Sequence, residues 1–272
     1  MATDTGLRKI GEGGEAEIFA YGEGRILRLL REGREGAGLE SEVAAMRAAA
    51  EAGVPVPQVY ELVEVNGRAG VVMERIDGGD LLTMIARRPW TVFASGRITG
   101  ELHARLNQIE APPGLPLLRE RLRRHLGEVM AGGLPARYGE HAMRLLEALH
   151  DGDRICHGDF HPGNIIGEQH PSIIDWPNVT RGDPDADHAR SVLLLRLGEP
   201  PPGSPAMLRL AAKVARGLLL SSYRRAYARV RRPDERAVAR WLFVCAVTRL
   251  SEGLEAERPR LLALIEREAA AT

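Results

Sequence analysis

One stretch near the middle of the 272-residue chain constrains the fold more than any other. It reads His-Gly-Asp-Phe-His-Pro-Gly-Asn over residues 157–164, and Ile-Ile-Asp-Trp follows over residues 173–176. Three of its side chains, Asp159, Asn164 and Asp175, suit proton transfer or the binding of hard cations such as Mg²⁺. Its glycines and proline favour turns, so the stretch predicts a polar loop, and the isoleucine pairs beyond it predict a short hairpin.

The spacing matches the catalytic loop of protein kinases, in which His-x-Asp is followed after four residues by Asn and a second metal-binding Asp lies on the next hairpin. His157, Asp159 and Asn164 keep this spacing, and Asp175 stands in the place of the second Asp. Trp176 follows it, where protein kinases have Phe-Gly. With this tryptophan the pattern resembles the aminoglycoside phosphotransferase and choline kinase-like family, small-molecule kinases with a protein-kinase-like fold.

The resemblance, which extends over nearly the whole chain, implies roles for these residues. Asp159 would be the catalytic base that orients an acceptor hydroxyl. Asn164 and Asp175 would hold the Mg²⁺ ions that bridge the phosphates of ATP or GTP. Asp187, within a Gly-Asp-Pro and Asp-x-Ala signature, would brace the loop, although a carboxylate that favours the helix dipole explains it equally. His157 is interpreted as a structural support of the loop.

A metal-dependent hydrolase is the alternative interpretation of the same stretch, because histidine and carboxylate ligands at short spacing suit zinc or manganese. Its ligands would be His157, Asp159, His161 and Asp175. This hypothesis leaves Asn164 and a glycine-rich segment near the N-terminus without a role, so the kinase interpretation is favoured.

The first 74 residues predict five strands and one helix. Strands are expected over residues 7–10, 16–21, 25–30, 58–64 and 68–74, and the helix over residues 36–52. The first turn contains Gly11, Gly13 and Gly14, which would let backbone amides approach a phosphate. Alone this segment indicates only a hairpin turn, but the resemblance implies a phosphate-covering loop.

Position 28 departs from the family pattern, because most members carry lysine on the third strand to hold the nucleotide phosphates. Arg28 keeps the charge and replaces the compact ammonium with a planar fork. The resemblance implies that Glu42 on the predicted helix pairs with it, with Glu40 as the competitor. Lys9 or Arg31 is an alternative phosphate ligand, and a solvated strand charge is the other open interpretation of Arg28.

Arg28 is also the one feature that favours a pseudokinase-like nucleotide-binding module without transfer activity. Asp159, Asn164 and Asp175 are all present, and a binding module has no need of all three. The sequence therefore favours an enzyme over such a module.

Two lobes are predicted, a nucleotide-binding lobe over residues 1–76 and a helical catalytic and acceptor-binding lobe over residues 77–272. The fold class is thus α+β and protein-kinase-like. At the hinge between the two lobes, the resemblance implies that backbone groups of Glu74 and Ile76 bind the base of the nucleotide. Beyond it, helices are expected over residues 81–88, 97–107, 117–130, 140–150, 205–229, 233–250 and 259–270, with another opening near residue 184.

The acceptor is not identified by the sequence. A polycationic aminoglycoside would favour nearby carboxylates, for which Glu252, Glu255 and Glu257 are candidates, but three arginines close by dilute their charge. The basic run over residues 119–125 is interpreted as a solvated helix face, with an acceptor or partner surface as the lesser possibility.

Composition excludes some partners. The 37 basic and 37 acidic residues balance, so the molecule has no net field that would attract nucleic acid or a membrane. No signal peptide or membrane span is apparent, which predicts a cytoplasmic protein. The resemblance implies a kinase that transfers the γ-phosphoryl group of ATP or GTP to a hydroxyl of a small molecule, with an aminoglycoside or another antibiotic among the candidate acceptors and Mg²⁺ as cofactor.

Overall fold

The computed structural model of the chain describes residues 7–34, 36–167, 169–198 and 205–269. A five-stranded antiparallel sheet with one helix precedes a larger, mainly helical part, and this confirms the predicted two-lobed α+β fold. Residues 1–6 and 270–272, at the outer ends of the two predicted lobes, lie outside the described residues.

The small lobe is an antiparallel sheet in the order β1-β2-β3-β5-β4. Its elements are β1 (Lys9–Glu12), β2 (Ala16–Ala20), β3 (Arg25–Leu30), helix α1 (Ala37–Glu51), β4 (Val59–Val65) and β5 (Arg68–Glu74). Asn66 and Gly67, both with positive φ, form the predicted tight turn between β4 and β5.

Alternation along β3 positions Arg28 for the site. Leu27 and Leu29 are fully buried in one apolar cluster with Val72 of β5. Ile26 points to the opposite face and packs against residues of α1. Because successive side chains of a strand alternate between faces, Arg28 lies on this second face, towards α1.

The large lobe contains eight further α-helices within the described residues. They are α2 (Leu81–Arg87), α3 (Val92–Leu106), α4 (Leu118–Ala131), α5 (Ala136–Ala148), α6 (Pro184–Leu197), α7 (Ala206–Val230), α8 (Glu235–Arg249) and α9 (Arg258–Ala269). Residues 241–249 of α8 are all buried, so α8 is the central helix of this lobe. In the described parts of the chain, no helix is long and apolar enough to cross a membrane.

Two short strand pairs frame the catalytic stretch. Strands β7 (Ile165–Ile166) and β8 (Ser172–Ile173) form the predicted hairpin. Strands β6 (Arg154–Cys156) and β9 (Thr180–Gly182) pair across the base of the loop and were not predicted. Three residues are too few to show an alternating pattern, so this pairing depends on tertiary context.

Helices α3 and α7 approach closely at two glycines. A Cβ atom at Gly100 would lie 2.3 Å from the Tyr223 carbonyl oxygen, and one at Gly96 would lie 2.7 Å from Ser222 Cβ. Helix α3 begins at Val92, five residues before the predicted start. The aromatic and β-branched residues there have low helix propensity, but packing against α7 outweighs it.

We expect Gly100→Ala to lower the free energy of unfolding by about 1–3 kcal/mol, because the added methyl group collides with the backbone of α7. Chemical denaturation measures this change. Gly127→Ala on the exposed face of α4 is the matched control, since no atom lies within 4 Å of its new Cβ. The control should be neutral or more stable by up to about 1 kcal/mol; equal effects at the two sites would contradict the packing argument.

Candidate active site

The buried carboxylate of Asp187 supports the catalytic stretch. Its Oδ2 accepts a hydrogen bond from the His157 amide at 2.7 Å, and its Oδ1 accepts one from the Gly158 amide at 2.9 Å. Nε2 of His103 in α3 and Nδ2 of Asn107, the residue directly after α3, donate to Oδ2 at 2.9 and 3.0 Å. Burial alone would raise the pKa of Asp187, but His103 and these donors hold it well below its usual range.

His157 is a structural residue with both ring nitrogens in use. Its Nε2 donates to the Ile174 carbonyl at 3.1 Å, and its Nδ1 accepts from the Asp159 amide at 3.4 Å. These bonds require the neutral ring, and burial lowers its pKa to about 4. Neither nitrogen is free to bind a metal, which removes one ligand from the hydrolase hypothesis.

Asp159 and Asn164 face each other across the loop. Asn164 Nδ2 donates to the Asp159 carbonyl at 2.9 Å and to its Oδ2 at 3.3 Å. His161 Nε2 lies 3.5 Å from the same Oδ2. Burial would raise the pKa of Asp159, but His161 and Arg190 outweigh it and hold the pKa at about 2. The carboxylate is therefore ionised at neutral pH and can accept a hydrogen bond.

Asp175 adopts a strained backbone conformation. Its φ of 65° lies in the left-handed region, where a side chain other than glycine is uncommon. Burial raises its pKa, and the positive charge of Arg28 opposes the rise. The backbone thus holds the Asp175 carboxylate in the cleft that contains Arg28 and Asn164.

Arg28 and Glu42 form the predicted ion pair. Arg28 Nη1 lies 2.7 Å from Glu42 Oε2, and the two side chains are 12% and 9% exposed. Burial raises the pKa of Glu42 to about 7, against the lowering effect of Arg28. Glu40, the competitor, is exposed on the other side of α1.

Lys9 and Arg31 have other partners. Lys9 Nζ contacts Glu12 and Glu17 at 2.7 and 2.8 Å. Arg31 contacts Glu12 at 3.2 Å and donates to the Gly13 carbonyl. Both side chains are about two-fifths exposed. Neither lines the interlobe cavity, whereas Arg28 does.

A cavity of about 610 Å³ lies between the two lobes. Seven of the predicted site residues line it, namely Gly13, Arg28, Glu42, Glu74, Ile76, Asn164 and Asp175. Gly11 lies within β1 opposite Ile18, and Gly14 lies at the exposed tip of the turn. These two glycines are therefore outside the lining.

A second cavity of about 540 Å³ lies on the other side of the catalytic loop and contains Asp159. Helices α4, α6 and α8 bring Arg121, Arg190 and Arg249 to it, together with Glu252. These residues are distant in sequence from the motif, and no pattern in the sequence indicates that they meet. The polar pair His103 and Asn107, spaced one helical turn apart in buried α3, was a signal that went unused.

The predicted glutamates offer little free negative charge. Glu252 binds Arg190 and Arg249, each at 2.6 Å. Glu257 binds Arg249 through both carboxylate oxygens, and Glu255 is exposed and does not line the cavity.

The interpretation of residues 119–125 as a solvated face is wrong for two arginines. Arg119 donates to the Leu146 and Leu149 carbonyls. Arg121 lines the second cavity. Arg119 and Arg121 lie on different sides of α4, and each reaches a neighbouring segment of the protein, while Arg123 and Arg124 remain exposed.

Comparison with known proteins decides the family. A model described as the phosphotransferase enzyme family, APH, matches residues 6–241. The chain belongs to this family. A hydroxyurea phosphotransferase of Kitasatospora aureofaciens is 35% identical over 141 residues, which cover 45% of this chain and 38% of that relative. The match thus spans less than half of the relative's length.

Solved structures of aminoglycoside phosphotransferases share the fold. APH(4)-Ia in a ternary complex with AMP-PNP and hygromycin B matches with a TM-score of 0.63 and 16% identity, over 98% of this chain and 92% of that one. The aminoglycoside-3'-phosphotransferase of type VIII matches with a TM-score of 0.60 and 22% identity, over 87% and 90%. At such identities the likeness shows the fold alone.

Since burial keeps His157 neutral, stability should fall in acid. The unfolded chain binds a proton at this ring near pH 6.5, whereas the folded protein binds one only near pH 4. Stability is therefore lost as the pH falls through this interval, by up to about 3 kcal/mol. Denaturation of wild type and His157→Gln between pH 7 and 4 should give a flatter profile for the variant.

The exposed His170→Gln variant is the control and should retain the wild-type profile. If His157→Gln were as acid-sensitive as the wild type, the neutral buried ring would not be the cause.

Proposed function

We propose that this phosphotransferase moves the γ-phosphoryl group of ATP or GTP to a hydroxyl group of a small molecule. The observation that carries the proposal is the position of the catalytic loop between two cavities. Asp159 faces one cavity, and Asn164 and Asp175 face the other. The hydrogen bonds between Asn164 and Asp159 hold these two side chains next to each other, which supports the proposal.

The interlobe cavity suits a nucleotide. Its Gly13, Glu74 and Ile76 belong to the glycine-rich turn and the hinge, which would cover the phosphates and hold the base. Arg28 would bind the inner phosphates through its planar fork, with Glu42 fixing its orientation. The neighbours solved with AMP-PNP or ADP support this use of the cleft. We accordingly assign residues 1–76 to nucleotide binding and residues 77–272 to catalysis and acceptor binding.

Asn164 and Asp175 fit a magnesium site. Both offer oxygen ligands to the same cavity, and the Asp175 carboxylate, whose pKa is raised there, gains from a nearby cation. Bound Mg²⁺ would neutralise phosphate charge during transfer.

Asp159 would accept a hydrogen bond from the acceptor hydroxyl and so orient the hydroxyl oxygen towards the γ-phosphorus. The bond from the γ-phosphorus to the bridging oxygen breaks, a bond to the acceptor oxygen forms, and the hydroxyl proton passes to Asp159. A carboxylate with a pKa of about 2 is a weak base. It therefore acts chiefly by orientation and takes the proton late, as a loose transition state requires.

The acceptor class is open to two suggestions from relatives, a hydroxyurea-like compound and an aminoglycoside. The alternative function is a pseudokinase-like module, which would bind nucleotide and transfer no phosphoryl group. A cytoplasmic location stays a prediction.

Nucleotide affinity measured by calorimetry, with and without Mg²⁺, tests the proposal. Arg28→Met should weaken binding of ATP or GTP by about tenfold to a hundredfold, because a charge-assisted hydrogen bond contributes about 1.5–3 kcal/mol. Asp175→Asn should abolish the dependence on Mg²⁺.

Lys9→Met is the matched control, since it removes a cation from the same sheet outside the cavity. It should bind nucleotide as the wild type does. A wild-type protein that binds neither nucleotide would sink the proposal, and a larger effect of Lys9→Met than of Arg28→Met would reassign the phosphate ligand.

A further inference from the structure

Arg121 of α4 is a partly buried cation that lines the cavity containing Asp159. Its guanidinium donates from Nη1 to the Asn178 carbonyl and from Nη2 to the Val179 carbonyl at 3.4 Å. Among the residues that the structure describes, no carboxylate lies within ion-pair distance of it. Its remaining N–H groups are therefore available to a ligand.

The other arginines of this cavity are neutralised. Arg190 and Arg249 share Glu252, and Arg249 also binds Glu257, so two positive charges meet two negative ones. Arg121 differs from them because two neutral carbonyl groups are its partners. Burial lowers its pKa, and the nearby charge of Arg124 lowers it further. A cation withdrawn from water in this way gains most from an anionic partner.

Arg121 also lies near the junction of the two cavities. The field of Glu15, at the end of the glycine-rich turn, reaches Arg121 and opposes the lowering of its pKa. Asn178, its carbonyl partner, stands two residues after Trp176, which lines the interlobe cavity. An oxyanion bound by Arg121 would thus belong either to the acceptor or to the γ-phosphoryl group of the nucleotide.

We propose that Arg121 binds an anionic group of the acceptor, so that the acceptor is a hydroxyl compound carrying a carboxylate, sulfate or phosphate. This inference rests on the proposed function. The position of Arg121 favours an oxyanion of the acceptor over one of the nucleotide, since Arg121 lines the cavity of Asp159 and not the interlobe cavity. A planar guanidinium matches two oxygens of such a group.

A polycationic aminoglycoside fits this cavity poorly. Asp187 is committed to loop amides and α3, and Glu252 is committed to two arginines. Asp159 is then the principal carboxylate available, and Arg121 would repel ammonium groups that approach it.

Inorganic sulfate is the probe for this site. Thermal unfolding is followed as sulfate replaces chloride at constant ionic strength, with Mg²⁺ and saturating ADP or AMP-PNP. We expect sulfate to stabilise the wild type and Arg124→Gln in a saturable manner. Arg124→Gln is the matched control, because it removes one positive charge from an exposed position of the same helix. Arg121→Gln should bind sulfate at least about tenfold more weakly. Arg121→Lys keeps the charge and should retain part of the response to sulfate. It provides a second test of the site in case the glutamine variant does not fold.

The outcomes separate the possible sources. A sulfate response that persists with AMP-PNP supports an acceptor anion, whereas one that persists with ADP but disappears with AMP-PNP assigns Arg121 to the γ-phosphoryl group and overturns the proposal. An equal response in wild type and both Arg121 variants also overturns it. Failure to bind either nucleotide would instead contradict the proposed function itself.

Kinetics with an acceptor that the enzyme phosphorylates provide a second readout. Arg121→Gln should raise the KM for the acceptor at least about tenfold and change the KM for ATP less than twofold. A uniform fall in kcat with both KM values unchanged would mean that Arg121 only supports the loop at Asn178, and it would overturn the proposal.

Discussion

The buried carboxylate of Asp187 is the interaction on which the catalytic geometry depends. It binds the amides of His157 and Gly158 from one side and the side chains of α3 from the other. Removal of a carboxylate with four donors would leave them unpaired in a dry interior, which is far more costly than the loss of a surface ion pair. Because the loop is fixed from below, Asp159 can face one cavity while Asn164 faces the other.

The arginines on the two sides of this loop differ in how they are paired with acidic residues. In the interlobe cavity, Arg28 has a buried acidic partner that sets the orientation of its guanidinium. In the cavity that contains Asp159, the arginines of α6 and α8 are matched by glutamates, whereas Arg121 of α4 has no carboxylate within ion-pair distance among the residues that the structure describes. These helices contribute no residue to the interlobe cavity, so the proposed function implies that changes in them alter the choice of acceptor and leave that cavity unchanged.

The parts of the site that lie close together in sequence were the ones that sequence could predict. The spacing of Asp159, Asn164 and Asp175 identified the loop and its hairpin, and the resemblance to the family, together with the position of Glu42 on the predicted helix, was enough to pair Arg28 with Glu42. The cavity that contains Asp159 was missed because its residues come from three helices, and helical periodicity does not say which neighbour a polar face meets. Arg121 was mistaken for a solvated charge for this reason.

The central claim is that Asp159 directs a hydroxyl of a small molecule to a nucleotide phosphate, and phosphoryl transfer measures it directly. Wild type and Asp159→Asn are incubated with Mg²⁺, ATP or GTP and a pool of aminoglycosides, macrolides, choline, amino alcohols, sugars, hydroxy acids and hydroxyurea, and the products are weighed by mass spectrometry. The account predicts a compound heavier by one phosphoryl group, formed about 10²- to 10⁴-fold more slowly by the variant. The same product formed equally fast by Asp159→Asn would contradict it.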